Sequence, residues 1–201
     1  MFPEDGNLQT EYWDQIAEDR VFSHPLNLDV FRTLVGLKER IVDWGCGYGR
    51  TLAELHGAGY ANLLGLDASA RMIARASREN PHLEFRQSTG LVTREPAGSV
   101  DAIILFAVLT CIPDDDDQVR MLAECQRVLR PGGLLYVGDL YLNSDARNVA
   151  RFDRASDPRG IYRSDDEQQF LASVSVLWAK DLWPVDAADG FLKNDHFDMG
   201  R

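Results

Sequence analysis

Arg40-Ile41-Val42-Asp43-Trp44-Gly45-Cys46-Gly47-Tyr48-Gly49-Arg50 is the stretch from which the rest of the chain can be read. A short apolar run leads into three alternating glycines and then into a helical pattern. Glycines at 45, 47 and 49 let the backbone turn tightly, and they let a ligand approach main-chain atoms that a Cβ would screen, beside the N-terminus of the next helix. The spacing bears on the ligand. A dinucleotide fingerprint is G-x-G-x-x-G, with a pyrophosphate on the helix N-terminus, whereas this chain has G-x-G-x-G preceded by the acid Asp43. An acid at that place suits a cationic ligand better than a phosphate.

Two more signals follow in order. Asn62-Leu63-Leu64-Gly65-Leu66-Asp67 reads as a strand ending in an acid 22 residues after Gly45, and Leu129-Arg130-Pro131-Gly132-Gly133-Leu134-Leu135 reads as a turn before another strand. With these three features, residues 40 to 140 resemble the class I S-adenosylmethionine-dependent methyltransferases. The resemblance implies an α/β fold: a doubly wound, mostly parallel seven-stranded sheet with helices on both faces and an antiparallel last strand. It implies S-adenosylmethionine as cofactor and S-adenosylhomocysteine as product. It also assigns roles to residues. Gly45, Cys46 and Gly47 pass under the methionine part of the cofactor with Asp43 at their base, and Asp67 accepts hydrogen bonds from the ribose. Ala68 and Met72 border the adenine. After the third strand the family often carries an acid for the adenine's amine, where this chain has Ser88-Thr89-Gly90; Thr89 offers an uncharged and weaker acceptor. Phe106, with Ala107, falls where the family contacts cofactor and substrate together. Each role has a plainer counterpart: a strand-to-helix turn for the glycines, a helix N-cap for Asp67 that Ser69 could equally fill, core packing for Met72 and Phe106.

Composition narrows the function classes. The 201 residues, 45% hydrophobic, are expected to form a single domain. A formal charge of −11 argues against a nucleic-acid surface, which needs a basic stripe, and favours a small-molecule or protein substrate. Cys46, Cys111 and Cys125 are odd in number, far apart and without metal-ligand spacing. They suggest neither a disulfide framework nor a metal site, and a reducing cytoplasm is expected. No apolar run reaches the ~18 residues of a membrane span and no signal-peptide pattern is present, so no membrane association is expected. A monomer and a homodimer both remain open.

Strand and helix patterns alternate from Ile41, as crossover connections in a parallel sheet require. Strands are predicted near 40–44, 62–67, 83–88, 100–106 and 134–139, and helices near 48–57, 69–79 and 115–130. The last is expected to bury Val119, Leu122, Gln126 and Leu129. Asp114 to Asp117 stand where a helix dipole favours carboxylates and need no metal. Ser164-Asp165-Asp166-Glu167 has the form of a capping box, predicting a helix from 165 to about 173, then a strand over 174–178, with 195–201 as one more edge strand. Residues 1–36 and 141–163 fall outside the alternation and are candidate lids; a leader packed on the sheet for stability is the other reading of the first. Arg147, Arg151 and Arg154 would share one helix face, which reads most simply as solvated and salt-bridged.

Methyl transfer chiefly needs alignment, with a proton acceptor where the attacking group is a hydroxyl or protonated amine. His24 is the first candidate for that acceptor and Tyr12 the second, the latter also as a pocket wall or a partner for the methionine carboxylate; His196 is a third possibility. The expected function is methyl transfer to an oxygen or nitrogen of a small molecule. The rivals are another enzyme on this fold, such as an NAD-dependent oxidoreductase or an aminopropyl transferase, and a non-catalytic cofactor-binding or regulatory module.

Overall fold

Six strands form one sheet in the order β3-β2-β1-β4-β5-β6. The architecture is that of a computed structural model, which describes residues 8–22, 26–140 and the backbone of 173–179. The strands are β1 (Ile41–Trp44), β2 (Leu63–Asp67), β3 (Glu84–Gln87), β4 (Val100–Phe106), β5 (Leu129–Leu140) and β6 (Ser173–Ala179). The helices are α1 (Thr10–Ile16), α2 (Leu28–Leu34), α3 (Arg50–Gly57), α4 (Ala70–Glu79) and α5 (Asp115–Val128), with a short 3-10 turn at Leu109–Cys111. β1 to β5 are mutually parallel, and β6 runs antiparallel to β5 with Val137 opposite Val176. The doubly wound, mostly parallel α/β fold is the one expected. The predicted helix at 165–173 and edge strand at 195–201 lie outside the described residues.

The central strands are apolar on both faces because helices cover both. Val42 and Trp44 point into one cluster with Leu64, Leu66, Ile103, Leu105, Cys125 and Val128. Ile41 points into the other with Leu63, Leu52, Leu55, Ala102 and Ile104. Alternation along β1 therefore puts Asp43 on the second face, at the carboxyl end of the sheet. The order of strands changes direction between β1 and β4, which opens a crevice at their carboxyl ends.

Three local differences from the sequence expectations have physical causes. The most buried stripe of α5 is Gln118, Met121, Cys125 and Val128, one residue earlier round the helix than expected; Leu129 is buried as expected, Leu122 packs part-buried against the same cluster, and Val119 and Gln126 are part-exposed. Gln118 is held inside because its Nε2 donates to the carbonyls of Leu109 and Ile112, which the 3-10 turn leaves exposed to it. The Pro131-Gly132-Gly133 turn is part of β5 itself: Val100 pairs with Leu129 and Ala102 with Leu134, so the intervening residues bulge from the ladder. The leader divides in two. Leu26, Phe31 and Val35 belong to the core, with Phe31 edge-on to both Tyr60 and Tyr136. Residues 8–22 lie across α4 and the glycine turn, with Leu8 packed against the first cluster and Ala17 buried. Among the described residues no helix is long and apolar enough to cross a membrane.

Candidate active site

The glycine turn is left-handed at each of its glycines, with φ of +89° at Gly45, +55° at Gly47 and +83° at Gly49. Protein side chains also occupy the space a Cβ would need. It would approach Val108 Cγ2 to 2.4 Å at Gly45, Phe22 Cε2 to 2.8 Å at Gly47 and Phe85 Cζ to 2.6 Å at Gly49. The turn thus requires glycine for its conformation and for its packing. The N–H groups of Gly45 and Cys46 both donate to Leu66 O, which pins the turn against β2. Cys46 is buried, its Sγ lying where a Cβ on Gly65 would come within 2.9 Å. Burial raises its thiol pKa well above the ordinary range.

Asp67 ends β2 and takes two backbone hydrogen bonds, from Gly47 N–H to Oδ2 at 2.8 Å and from Ser69 N–H to Oδ1 at 2.8 Å. The N-cap of α4 is Ser69, whose Oγ accepts from Met72 N–H at 3.0 Å, so Asp67 is not spent on capping. Asp43 differs. It is 1% exposed, and neither of its carboxylate oxygens has a hydrogen-bond partner among the described residues. Burial first, and then the neighbouring Asp67 charge, push its pKa up to about 7, against the pull of Arg50. Burial also raises Asp67, to about 6, with its two backbone N–H groups opposing. A pair of desolvated acids at the base of a glycine cradle is an arrangement that a cationic, hydroxyl-bearing ligand would relieve.

The remaining residues singled out in the sequence fall around this cradle in different ways. Ser88, just after β3, is buried with its N–H on Asp67 O and its Oγ without a partner among the described residues. Thr89 is exposed, and its hydroxyl accepts from Arg94 Nη2 at 2.8 Å. Gly90 is buried at φ +67°. Ala68 is part-exposed, its carbonyl held by Gln87, and Met72 is a core residue at 1% exposure. Phe106 lies over Gly138, where a Cβ would approach its ring to 2.7 Å, and faces the Arg50 guanidinium at 5.8 Å. Tyr12 is half-buried on α1, edge-on to Trp13 at 5.1 Å. His24, His196 and the arginines at 147, 151 and 154 lie outside the described residues.

The sequence pointed to Ala107 but not to three further contributors, Phe22, Arg75 and Asp14. Phe22 stacks on Tyr48 with ring centroids 5.4 Å apart and planes 6° from parallel, so the leader covers the glycine turn. Arg75 sits 4.0 Å over the other partner of that stack, the Tyr48 ring. Asp14 reaches Ser69 from α1. Ala107 adopts φ +56°, and its N–H donates to Gly138 O. None of those three has a motif of its own; only the aromatic density of the leader hinted at Phe22.

Comparison with known proteins agrees with this geometry. The family model described as a methyltransferase domain matches residues 41–133. A trans-aconitate 2-methyltransferase of Deinococcus radiodurans is 40% identical over 100 residues, 49% of this chain and 36% of that protein. A ubiquinone biosynthesis O-methyltransferase of Cupriavidus pinatubonensis is 30% identical over 154 residues, 72% of this chain and 60% of that protein. The chain thus spans less than two thirds of either relative. Among solved structures, a SAM-dependent methyltransferase of Methanosarcina mazei superposes with a TM-score of 0.54 at 26% identity, covering 57% of this chain and 58% of that one. Fold, motif order and these matches agree: residues 41–133 match a methyltransferase domain, and the fold around them is that of S-adenosylmethionine-dependent methyltransferases.

Proposed function

We propose that the protein binds S-adenosylmethionine in the glycine cradle and transfers its methyl group to an oxygen or nitrogen of a small molecule. The observation that carries this reading is the pair of acids. Asp67 is fixed by two backbone N–H groups with acceptor capacity left for ribose hydroxyls, and Asp43 is buried without a partner among the described residues, at the foot of the turn. The cofactor, when bound, supplies an activated methyl on a sulfonium. Asp43 and the backbone of Gly45 to Gly47 would hold the methionine part, with Asp67 on the ribose and Ser88 beside the base. Ser88 is the better placed of the two hydroxyls after β3, since Arg94 already holds Thr89.

The chain's work in the reaction is alignment and exclusion of water. The leader from 8 to 22 forms one wall, and Phe106 at the end of β4 forms another. An attacking hydroxyl or amine would give up its proton to a base of the chain. His24 is the base proposed from the sequence, with Tyr12 second. The small-molecule reading accords with relatives named for trans-aconitate and ubiquinone biosynthesis, as does the net charge of −11, which disfavours nucleic acid. Incubation with methyl-labelled cofactor and a panel of carboxylic, phenolic and amine acceptors tests it. Label transferred by the wild type and lost in Asp67→Ala supports the proposal. Tight cofactor binding with no transfer to any acceptor class favours a non-catalytic module instead. His24→Ala with turnover unchanged would remove the base assignment alone.

A further inference from the structure

α1 carries no fully buried side chain within its seven residues, although Ala17 at its C-cap is buried and Leu8 before it packs against the core. Polar fastenings add to this packing. Asp14 Oδ1 accepts from Ser69 Oγ at 2.5 Å and from Arg71 N–H at 3.1 Å. Further along, Arg75 Nη1 donates to the carbonyls of Ala17 and Arg20, both at 2.8 Å, while its guanidinium lies on Tyr48. Phe22 N–H donates to Tyr48 Oη at 3.1 Å and its ring covers Gly47.

Two of these fastenings reach the residues that hold Asp67: Asp14 bonds Ser69 itself, and Phe22 bonds Tyr48, the neighbour of Gly47, against which Arg75 also lies. Ser69 is fully buried and makes three bonds at once: its N–H to Asp67, its Oγ–H to Asp14, and its Oγ as acceptor for Met72 N–H. Gly47, the other donor to Asp67, lies beneath Phe22. We propose that Asp14 is a positioning residue which, through Ser69, couples docking of the leader to the orientation of Asp67, so that cofactor binding and leader closure reinforce one another. Asp14 acts through its hydrogen bonds rather than its charge. A second carboxylate beside Asp67 makes ionisation of Asp67 harder, so the direct electrostatic effect is unhelpful, and the benefit must come from geometry.

The inference rests on the cofactor reading above, and its test separates the two. S-adenosylhomocysteine binding is measured by calorimetry for the wild type, Asp14→Asn, Asp14→Ala and Glu18→Ala, with amide exchange of residues 10–22 followed with and without the ligand. Asparagine keeps an acceptor oxygen for Ser69 and Arg71. Glu18 is the control, since it lies in the turn after α1 and pairs with Arg78 of α4 at the surface. Coupling energies between sites are commonly 5–150-fold, so Asp14→Ala is expected to weaken binding about tenfold and Asp14→Asn less than about threefold, with Glu18→Ala unchanged. Ligand is expected to slow leader exchange about tenfold in the wild type, and much less in Asp14→Ala. A purely structural Asp14 would lower stability without that linkage. Wild-type binding with Asp14→Ala indifferent, or leader exchange unmoved by ligand, overturns the inference and leaves the cofactor reading intact. A wild type that binds no ligand overturns both. Should Asp14→Ala fail to fold, the wild-type exchange experiment and Asp14→Asn decide.

Discussion

The two halves of the crevice are built differently. On the β1–β2 side the backbone does the work: three left-handed glycines, each with a side chain pressed into the place of its missing Cβ, and an acid locked by two main-chain N–H groups. On the β4–β5 side the chain leaves β4 through Ala107, a non-glycine residue at φ +56°, into a 3-10 turn, and the neighbouring wall is a phenylalanine over Gly138. The first half tolerates few residue types and is suited to a ligand that does not vary. The second presents side chains rather than a glycine turn, and on the proposed function these face the acceptor and are the ones expected to vary.

If that contrast is sound, substitutions on the first side act on the cofactor and the fold, and substitutions on the second act weakly on both. The largest effect is expected at Asp67. Asp67→Ala removes the acceptor of two backbone N–H groups and, on the proposed function, of the ribose; charged hydrogen bonds contribute about 1.5–3 kcal/mol each, so S-adenosylhomocysteine affinity should fall about 100-fold by calorimetry. An unchanged affinity would remove Asp67 from the site.

The next effect concerns pH. Asp43 and Asp67 are raised from 3.8 to about 7 and about 6, so the folded chain holds their protons more tightly than the unfolded chain does. Stability of the apoprotein from these groups should therefore be greatest below about pH 4, fall as pH rises toward 7, and level off above. The Asp43 part is on the order of 4 kcal/mol at most. Asp43→Asn should flatten the profile and raise the melting temperature at pH 8. A profile just as steep in Asp43→Asn would mean the acid is relieved by a partner in solution.

Glycine substitutions sharpen the comparison further. Gly47→Ala combines left-handed strain of about 1–2 kcal/mol with a clash against Phe22, and chemical denaturation should show a loss above that range. Gly98→Ala, at φ +67° but with open space around it, should show the strain alone, about 1 kcal/mol. Equal losses would mean Phe22 moves aside without cost. Ala107→Gly should give the smallest change, within about 1 kcal/mol, because relief of left-handed strain is offset by the freer unfolded chain. A larger loss would show that the Ala107 methyl is packed and that the second half is less free to vary than expected.

The same contrast explains what the sequence revealed. Ile41 to Arg50 and Leu63 to Asp67 were legible because positive φ and close packing restrict the turn to glycine, and buried parallel strands demand unbroken apolar runs. Ser69 as the cap and the Asp114 start of α5 followed from local hydrogen-bonding rules. The stripe of α5 was misplaced by one residue because Gln118 and Cys125 look like surface and neutral positions until Leu109 and Ile112 present their carbonyls. The division of the leader was hidden for a similar reason. Phe31 and Phe22 are both phenylalanines in a polar context, and only the fold sends one into the core and the other over Gly47. Asp14 and Arg75 act across 55 or more residues, a separation that no local pattern records.

Calorimetric titration of the purified protein with S-adenosylhomocysteine, beside NADH, tests whether the glycine cradle is an S-adenosylmethionine site. Saturable one-to-one binding of S-adenosylhomocysteine, none of NADH, and loss of the heat in Asp67→Ala are expected. A folded, ligand-free protein that takes up NADH, or neither compound, would contradict it.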